Sequence, residues 1–308
     1  MARSGGSVAR DAGLARVAEP PLTTVESLGL SDGRVLCARR WAGSDAETLV
    51  VLHGLLDSSE GWSPIGERLT CSQVAFDLPG FGYSDARRHG SIAGYAQDIA
   101  DGLELLGVKR FTLVGHSLGG AVATAVAELL PDQVGALVLL APAGFGRLHL
   151  AEAISLPGIR NLVEATLPLA LGSRLAVTAG YMTMVANGRV PDRELVDRVT
   201  SRGADLVDGA REGTRAVVNA GLGRDAFHRR RLAYRGPVFA VWGEEDRLVP
   251  VSHHHGVLTA FPHAHIEIWP GLGHHLLREA FDDLLSAICK AIEAGTPRAA
   301  PRRLAETA

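Results

Sequence analysis

Hydrophobic residues recur along this chain in two rhythms. Short β-branched or aliphatic runs stand at 48–53 (TLVVLH), 73–77 (QVAFD), 111–115 (FTLVG), 136–140 (ALVLL), 238–243 (VFAVWG) and 265–269 (HIEIW). Such runs are expected of strands buried on both faces. Between them, Ile92, Tyr95, Ile99 and Leu103 fall at helical spacing, as do Phe281, Leu284, Leu285, Ile288 and Ile292 near the end. Strand alternating with helix predicts βαβ crossovers and a largely parallel sheet. The beginning departs from this order: runs at 23–30 and 34–41 flank Ser31-Asp32-Gly33, a turn signal that makes them an antiparallel hairpin at one sheet edge. The expected fold class is therefore α/β, an eight-stranded, mostly parallel sheet flanked by helices.

From 147 to 235 the alternation stops. Helical patterns there are punctuated by Pro157, Pro168, Gly180, Gly188 and Pro191, with no buried strand among them. This stretch reads as a helical insertion after the sixth strand, a candidate lid over a core built from 23–146 and 236–295. Residues 1–22 and 296–308 lack an apolar stripe and read as disordered tails.

Composition narrows the function classes. With 46% hydrophobic and 21% charged residues over 308 positions, the chain reads as one globular core with an insertion. A net charge of -3 offers no basic field for nucleic acid or an anionic membrane, which leaves a small molecule as the expected partner. Oligomeric state is not legible. Three dispersed cysteines, Cys37, Cys71 and Cys289, suggest neither a disulfide framework nor a metal site, and a reducing cytoplasm is the expected location. The first twenty residues lack the apolar core of a secretory signal, and Asp11 and Glu19 argue against a transit peptide. No apolar run reaches the ~20 residues of a membrane span.

The chemistry begins where FTLVG meets Gly115-His116-Ser117-Leu118-Gly119, followed by Gly120 and a helix rich in alanine. A strand turning sharply into a helix strains the residue between them, and glycines two before and two after remove side chains that would collide. The Ser117 hydroxyl is thereby expected to project above the sheet. The helix directs its first amides at the place where negative charge develops on a substrate oxygen, which makes the Leu118 N–H one oxyanion donor. At the end of the first central strand, His53-Gly54-Leu55 turns the chain and exposes the Leu55 N–H as the second. His53 is expected to brace this loop through the backbone rather than to take part in chemistry.

A serine nucleophile needs a base, and the base needs an acid to fix its tautomer. VFAVWG runs into Glu244, Glu245 and Asp246, whereas ALVLL runs into Ala141-Pro142-Ala143, so the acid falls in the later loop. Position alone does not separate the three carboxylates. After the last strand, Pro270-Gly271-Leu272-Gly273 presents two histidines, His274 and His275, and gives the chain order Ser, acid, His.

At this point the chain resembles the α/β-hydrolase superfamily, in its lid-bearing esterase and lipase-like branch, over roughly 23–293. Five motifs carry the resemblance in order: HGLL at 53–56 with Trp62 downstream, DLPGFGYSD at 77–85, GHSLGG at 115–120, WGEEDRLVP at 242–250 and GLGHH at 271–275. The resemblance implies that Asp246 is the acid and His274 the base, and that the 77–85 loop is structural. It implies a serine esterase working through an acyl-enzyme, with no metal or organic cofactor. Relatives that open epoxides or cleave carbon–halogen bonds carry an aspartate where Ser117 stands. Relatives that cleave carbon–carbon bonds often carry a tryptophan after the catalytic histidine and a longer glycine-rich oxyanion loop, where this chain has His275 and Leu55-Leu56. Acyl transfer, perhydrolysis and a low-turnover ligand receptor are the remaining alternatives.

Two further features are read more plainly. Leu162, Leu167, Leu169, Leu171, Tyr181, Met182 and Met184 suit an apolar pocket but more often pack a lid onto its core. His253-His254-His255 cannot close on one ion from consecutive helical positions, and is expected at the surface.

Overall fold

A computed structural model describes residues 22–43, 48–154, 156–222 and 226–296. Residues 1–21 and 297–308, nearly all of the two expected tails, lie outside them.

Among the described residues eight strands form one sheet: β1 (Thr23–Gly29), β2 (Val35–Trp41), β3 (Thr48–Leu52), β4 (Gln73–Phe76), β5 (Phe111–His116), β6 (Val134–Leu140), β7 (Val238–Gly243) and β8 (His265–Trp269). Their spatial order is β1-β2-β4-β3-β5-β6-β7-β8. The hairpin β1/β2 and the pair β2/β4 are antiparallel, and every other pair is parallel. The expected α/β class and edge hairpin are what the fold contains.

The pleat explains how one sheet supports two cores. Val50 and Leu52 of β3 face a cluster that holds Tyr95, Ile99, Leu118 and Val122, while Leu49 and Val51 face another that holds Trp62, Ile65, Leu285 and Ile288. The helices divide accordingly. On the first face lie α2 (Ile92–Leu105) and α3 (Leu118–Leu129); on the second lie α1 (Ser63–Gly66) and, at the end of the chain, α11 (Phe281–Gly295). Between β6 and β7 the chain forms α4 (His149–Ile154), α5 (Pro157–Leu171), α6 (Arg174–Met182), α7 (Arg193–Ser201) and α8 (Val207–Leu222). The short α9 (His254–Ala260) and α10 (Leu276–Glu279) follow β7 and β8.

Two of the expected breaks are not breaks. Pro157 opens α5, where its fixed φ suits a first turn, but Pro168 lies in the last turn of the same helix. There it forfeits one intrahelical bond, the one its missing N–H would make to Glu164. Gly180 lies inside α6, whereas Gly188 takes a φ of 79° in the following loop. The surface reading of the histidine triplet is also corrected. His253 is buried against Gly146, because the same helical geometry that points neighbours apart sends one of three inward.

No single described helix is long and apolar enough to cross a membrane; α5 and α6 pass by length and composition only as a pair bent by 112°.

Candidate active site

Ser117 sits where β5 becomes α3, with φ 53° and ψ -114°. Its amide donates to the Leu140 carbonyl (2.9 Å), and its carbonyl accepts from Gly120 (3.0 Å) and Ala143 (3.0 Å), so both neighbouring segments hold the turn. The flanking glycines are sterically required. A Cβ on Gly119 would lie 2.3 Å from the Leu52 carbonyl oxygen, and one on Gly115 would lie 2.3 Å from that of Gly119. These are backbone atoms that cannot swing away.

The Leu118 amide opens α3, and the Leu55 amide follows the Gly54 turn after β3. Among the described residues neither N–H has an acceptor. The loop between them is braced by His53, which donates from Nδ1 to the Gly54 carbonyl (2.7 Å) and accepts at Nε2 from the Leu78 amide (2.9 Å). Both nitrogens are used, so His53 is fixed as a loop brace. Leu56 completes the loop at φ 62°, a strained value for a branched residue.

The three carboxylates after β7 separate by direction. Asp246 turns inward: Oδ1 accepts from the amides of Leu248 and Val249 (both 2.9 Å), and Oδ2 lies 2.7 Å from His274 Nδ1. Glu245 turns to the Asn187 amide (2.9 Å), and Glu244 is exposed. The Asp246–His274 pair is sealed, with side-chain exposures of 0% and 2%. Since Nδ1 donates to the carboxylate, the neutral imidazole carries its free lone pair on Nε2.

Two further histidines crowd His274. His116 donates from Nε2 to the His274 carbonyl (2.9 Å), and its ring centroid lies 4.7 Å from that of His274. Burial, reinforced by His274, holds the His116 pKa down to about 3. His275 packs against Tyr181 and His116, and burial keeps its pKa well below the ordinary value. Both imidazoles are neutral under ordinary conditions.

Ser117, His274, His116 and His275 share the wall of a cavity of about 220 Å³ with Leu55, Leu56, Leu118, Leu148, Met184, Thr214, Val217, Leu248 and Val249. The cavity thus gathers Ser117, His116, His274, Leu55 and Leu118, Asp246 reaches it through His274, and His53, Gly54, Gly115 and Gly119 shape the backbone behind it. Of the apolar residues flagged in the insertion, Met184 reaches this cavity, Leu171 and Tyr181 are buried, and Leu162, Leu169 and Met182 point outward. The 77–85 loop braces the same end of the sheet: Asp77 accepts from the amides of Ser59 (2.7 Å) and Tyr83 (2.9 Å).

Sequence reasoning missed Glu279. Its side chain is 3% exposed and accepts from the amides of Gly273 (2.9 Å), His275 (3.1 Å) and Ala186 (3.0 Å), pinning the histidine loop to the chain after α6. The Met184 carbonyl adds a bond from the His274 amide (2.6 Å). A carboxylate four residues past His275, the residue that precedes α10, was the available signal, since it can reach back to free amides.

The family model described as the alpha/beta hydrolase fold matches residues 47–194. An uncharacterized protein of Mycobacterium tuberculosis is 32% identical over 252 residues, covering 77% of this chain and 72% of the relative. A 2-hydroxy-6-oxononadienedioate/2-hydroxy-6-oxononatrienedioate hydrolase of Comamonas testosteroni is 25% identical over 264 residues, covering 82% and 88%. Among solved structures, a thermophilic esterase superposes with a TM-score of 0.68 at 21% identity, covering 89% of this chain and 99% of that one. The chain belongs to the α/β-hydrolase superfamily. It is a hydrolase of that fold.

Proposed function

We propose that this hydrolase cleaves a carboxylic ester, or a related acyl bond, of a small and largely apolar substrate through an acyl-enzyme on Ser117. The sealed 2.7 Å bond between His274 and Asp246, beside a cavity that Ser117 also lines, carries this reading. His274 Nε2 takes the Ser117 proton as Oγ attacks the carbonyl carbon, and Asp246 stabilises the imidazolium that forms. The tetrahedral oxyanion rests on the free amides of Leu55 and Leu118. His274 then gives its proton to the departing alcohol, which leaves an acyl ester on Ser117. Water, deprotonated by His274, attacks that ester, and the acid departs as Ser117 recovers its proton. No metal or organic cofactor enters these steps.

Helices α4 to α8 act in this reading as a lid that keeps water from the acyl-enzyme. The apolar wall of the cavity favours acyl groups without charge next to the carbonyl. Three free cysteines, Cys37, Cys71 and Cys289, fit a reducing compartment such as the cytoplasm.

A panel of p-nitrophenyl esters of increasing acyl length, run on the protein and on Ser117→Ala, tests the proposal. Ester turnover is expected in the first and is expected to vanish in the second; undiminished turnover by the alanine variant sinks it. A second reading, carbon–carbon bond hydrolysis, is favoured by the likeness to the Comamonas hydrolase. His275 and the Leu55-Leu56 loop weigh against it, and cleavage of a 2-hydroxy-6-oxodienoate faster than of any ester would establish it. Product analysis with competing alcohols, amines or peroxide separates hydrolysis from acyl transfer and perhydrolysis.

A further inference from the structure

Helix α8 rests directly on the two residues that supply the oxyanion amides. Gly213 allows it, because a Cβ there would meet Leu55 Cδ1 at 2.7 Å and Leu118 Cδ2 at 3.3 Å. The next residue, Thr214, borders the Ser117 cavity and also a second cavity of about 440 Å³ between α5 and α8; Leu55 and Leu56 border both as well. The second cavity combines an apolar wall that includes Val163, Leu167 and Val218 with three arginines, Arg160, Arg211 and Arg215, against one carboxylate, Glu164.

The arginines differ in what they already bind. Arg215 donates to Glu212 (2.5 Å), and Arg160 stands 3.9 Å from Glu164. Arg211 gives one amino group to the exposed Asp208 (2.9 Å), but its Nε is buried and finds no acceptor among the described residues. A ligand cannot reach that sealed atom, but the second amino group of Arg211 also has no acceptor among the described residues and is free to meet one brought into the cavity.

Resting on the ester reading above, we infer that the second cavity receives the acyl arm of the substrate, and that this arm is apolar near the carbonyl and ends in a carboxylate held by Arg211. The acyl side follows from the chemistry. The alcohol leaves past His274, which protonates it, and a cavity of about 530 Å³ bordered by Tyr181, His275 and Arg278 lies on that side. The 440 Å³ cavity touches neither His274 nor His275, so an arm lodged there stays in place through both half-reactions. The net charge of -3 would repel an anionic substrate in general, which makes a preference for one a local property of this wall.

The test compares p-nitrophenyl hemiesters of adipic and suberic acid with p-nitrophenyl hexanoate and octanoate, at low ionic strength. The hemiesters are expected to exceed their neutral counterparts in kcat/KM by about tenfold, mostly through KM, with the advantage shrinking as salt is added. Arg211→Gln is expected to bring the ratio near one, and Arg211→Glu to push it below one. Each ratio is measured on a single preparation, so loss of folded protein cancels. A wild-type preference for the neutral esters, or a ratio unmoved by both substitutions, overturns the inference. Turnover of none of the four esters would instead overturn the ester reading, and this inference with it.

Discussion

Ser117 holds a positive φ that a serine adopts only under constraint, and the constraint is backbone contact. Gly119 lies so close to the end of β3 that a Cβ would stand 2.3 Å from the Leu52 oxygen and 2.5 Å from the His53 oxygen. Gly119→Ala is therefore expected to cost about 3 kcal/mol or more in a urea melt, since neither backbone can yield without moving the strand or the helix. A melt within experimental error of the parent would contradict that close fit. The same local crowding made the turn at Ser117, the proposed nucleophile, legible in the sequence: strand, glycine, serine, glycine and helix are all neighbours along the chain. From residue type and position alone the proposed acid and base were legible only as groups, and it was the resemblance that singled out Asp246 and His274. Glu244, Glu245 and Asp246 are consecutive carboxylates, and only the inward turn toward the amides of Leu248 and Val249 distinguishes Asp246. His274 and His275 differ likewise by which ring meets Asp246, a matter of direction that residue type does not encode.

Between elements, the histidine loop depends on α10 and on the chain after α6. Glu279, the last residue of α10, gathers two amides of the histidine loop and one from the chain after α6, and Met184 accepts from the His274 amide. Glu279→Gln preserves shape but replaces a charged acceptor with a neutral one that holds three donors less well. It is expected to lower kcat by about tenfold while leaving KM nearly unchanged, because His274, the proposed base, loses its pose rather than the substrate its pocket. Loss confined to KM would assign Glu279 to binding instead. Elements with long, regular patterns were read correctly from sequence, as in β7 and β8, whose bounds match the expected runs at 238–243 and 265–269. The interior breaks were not, since Pro168 and Gly180 signal an interruption only where the surrounding helix cannot absorb them. Glu279 escaped notice because its three partners lie in two segments far apart along the chain.

At the scale of the molecule, burying neutral histidines ties stability to pH. His116 has its pKa held to about 3, and His275 lies well below its ordinary value, both chiefly through burial. In the unfolded chain these imidazoles take up protons near pH ~6.5, whereas the folded protein leaves them neutral. The unfolded state therefore binds more protons in this window, and stability, complete above it, is lost as the pH falls. Each histidine contributes a slope of at most about 1.4 kcal/mol per pH unit. Urea melts between about pH 6.5 and about pH 4 are expected to show this decline, and His116→Asn to flatten it. Equal slopes for the two proteins would mean that His116 is not buried neutral.

The most direct test of the account is fluorophosphonate labelling followed by mapping of the modified peptide. On the proposed reading, a serine activated by His274, with the free amides of Leu55 and Leu118 at hand for the phosphoryl oxygen, should form a single stable adduct. The expected result is one label per chain, on Ser117, absent from Ser117→Ala and strongly slowed in His274→Ala. A label on another residue, or equal labelling of the Ser117→Ala protein, would contradict the account.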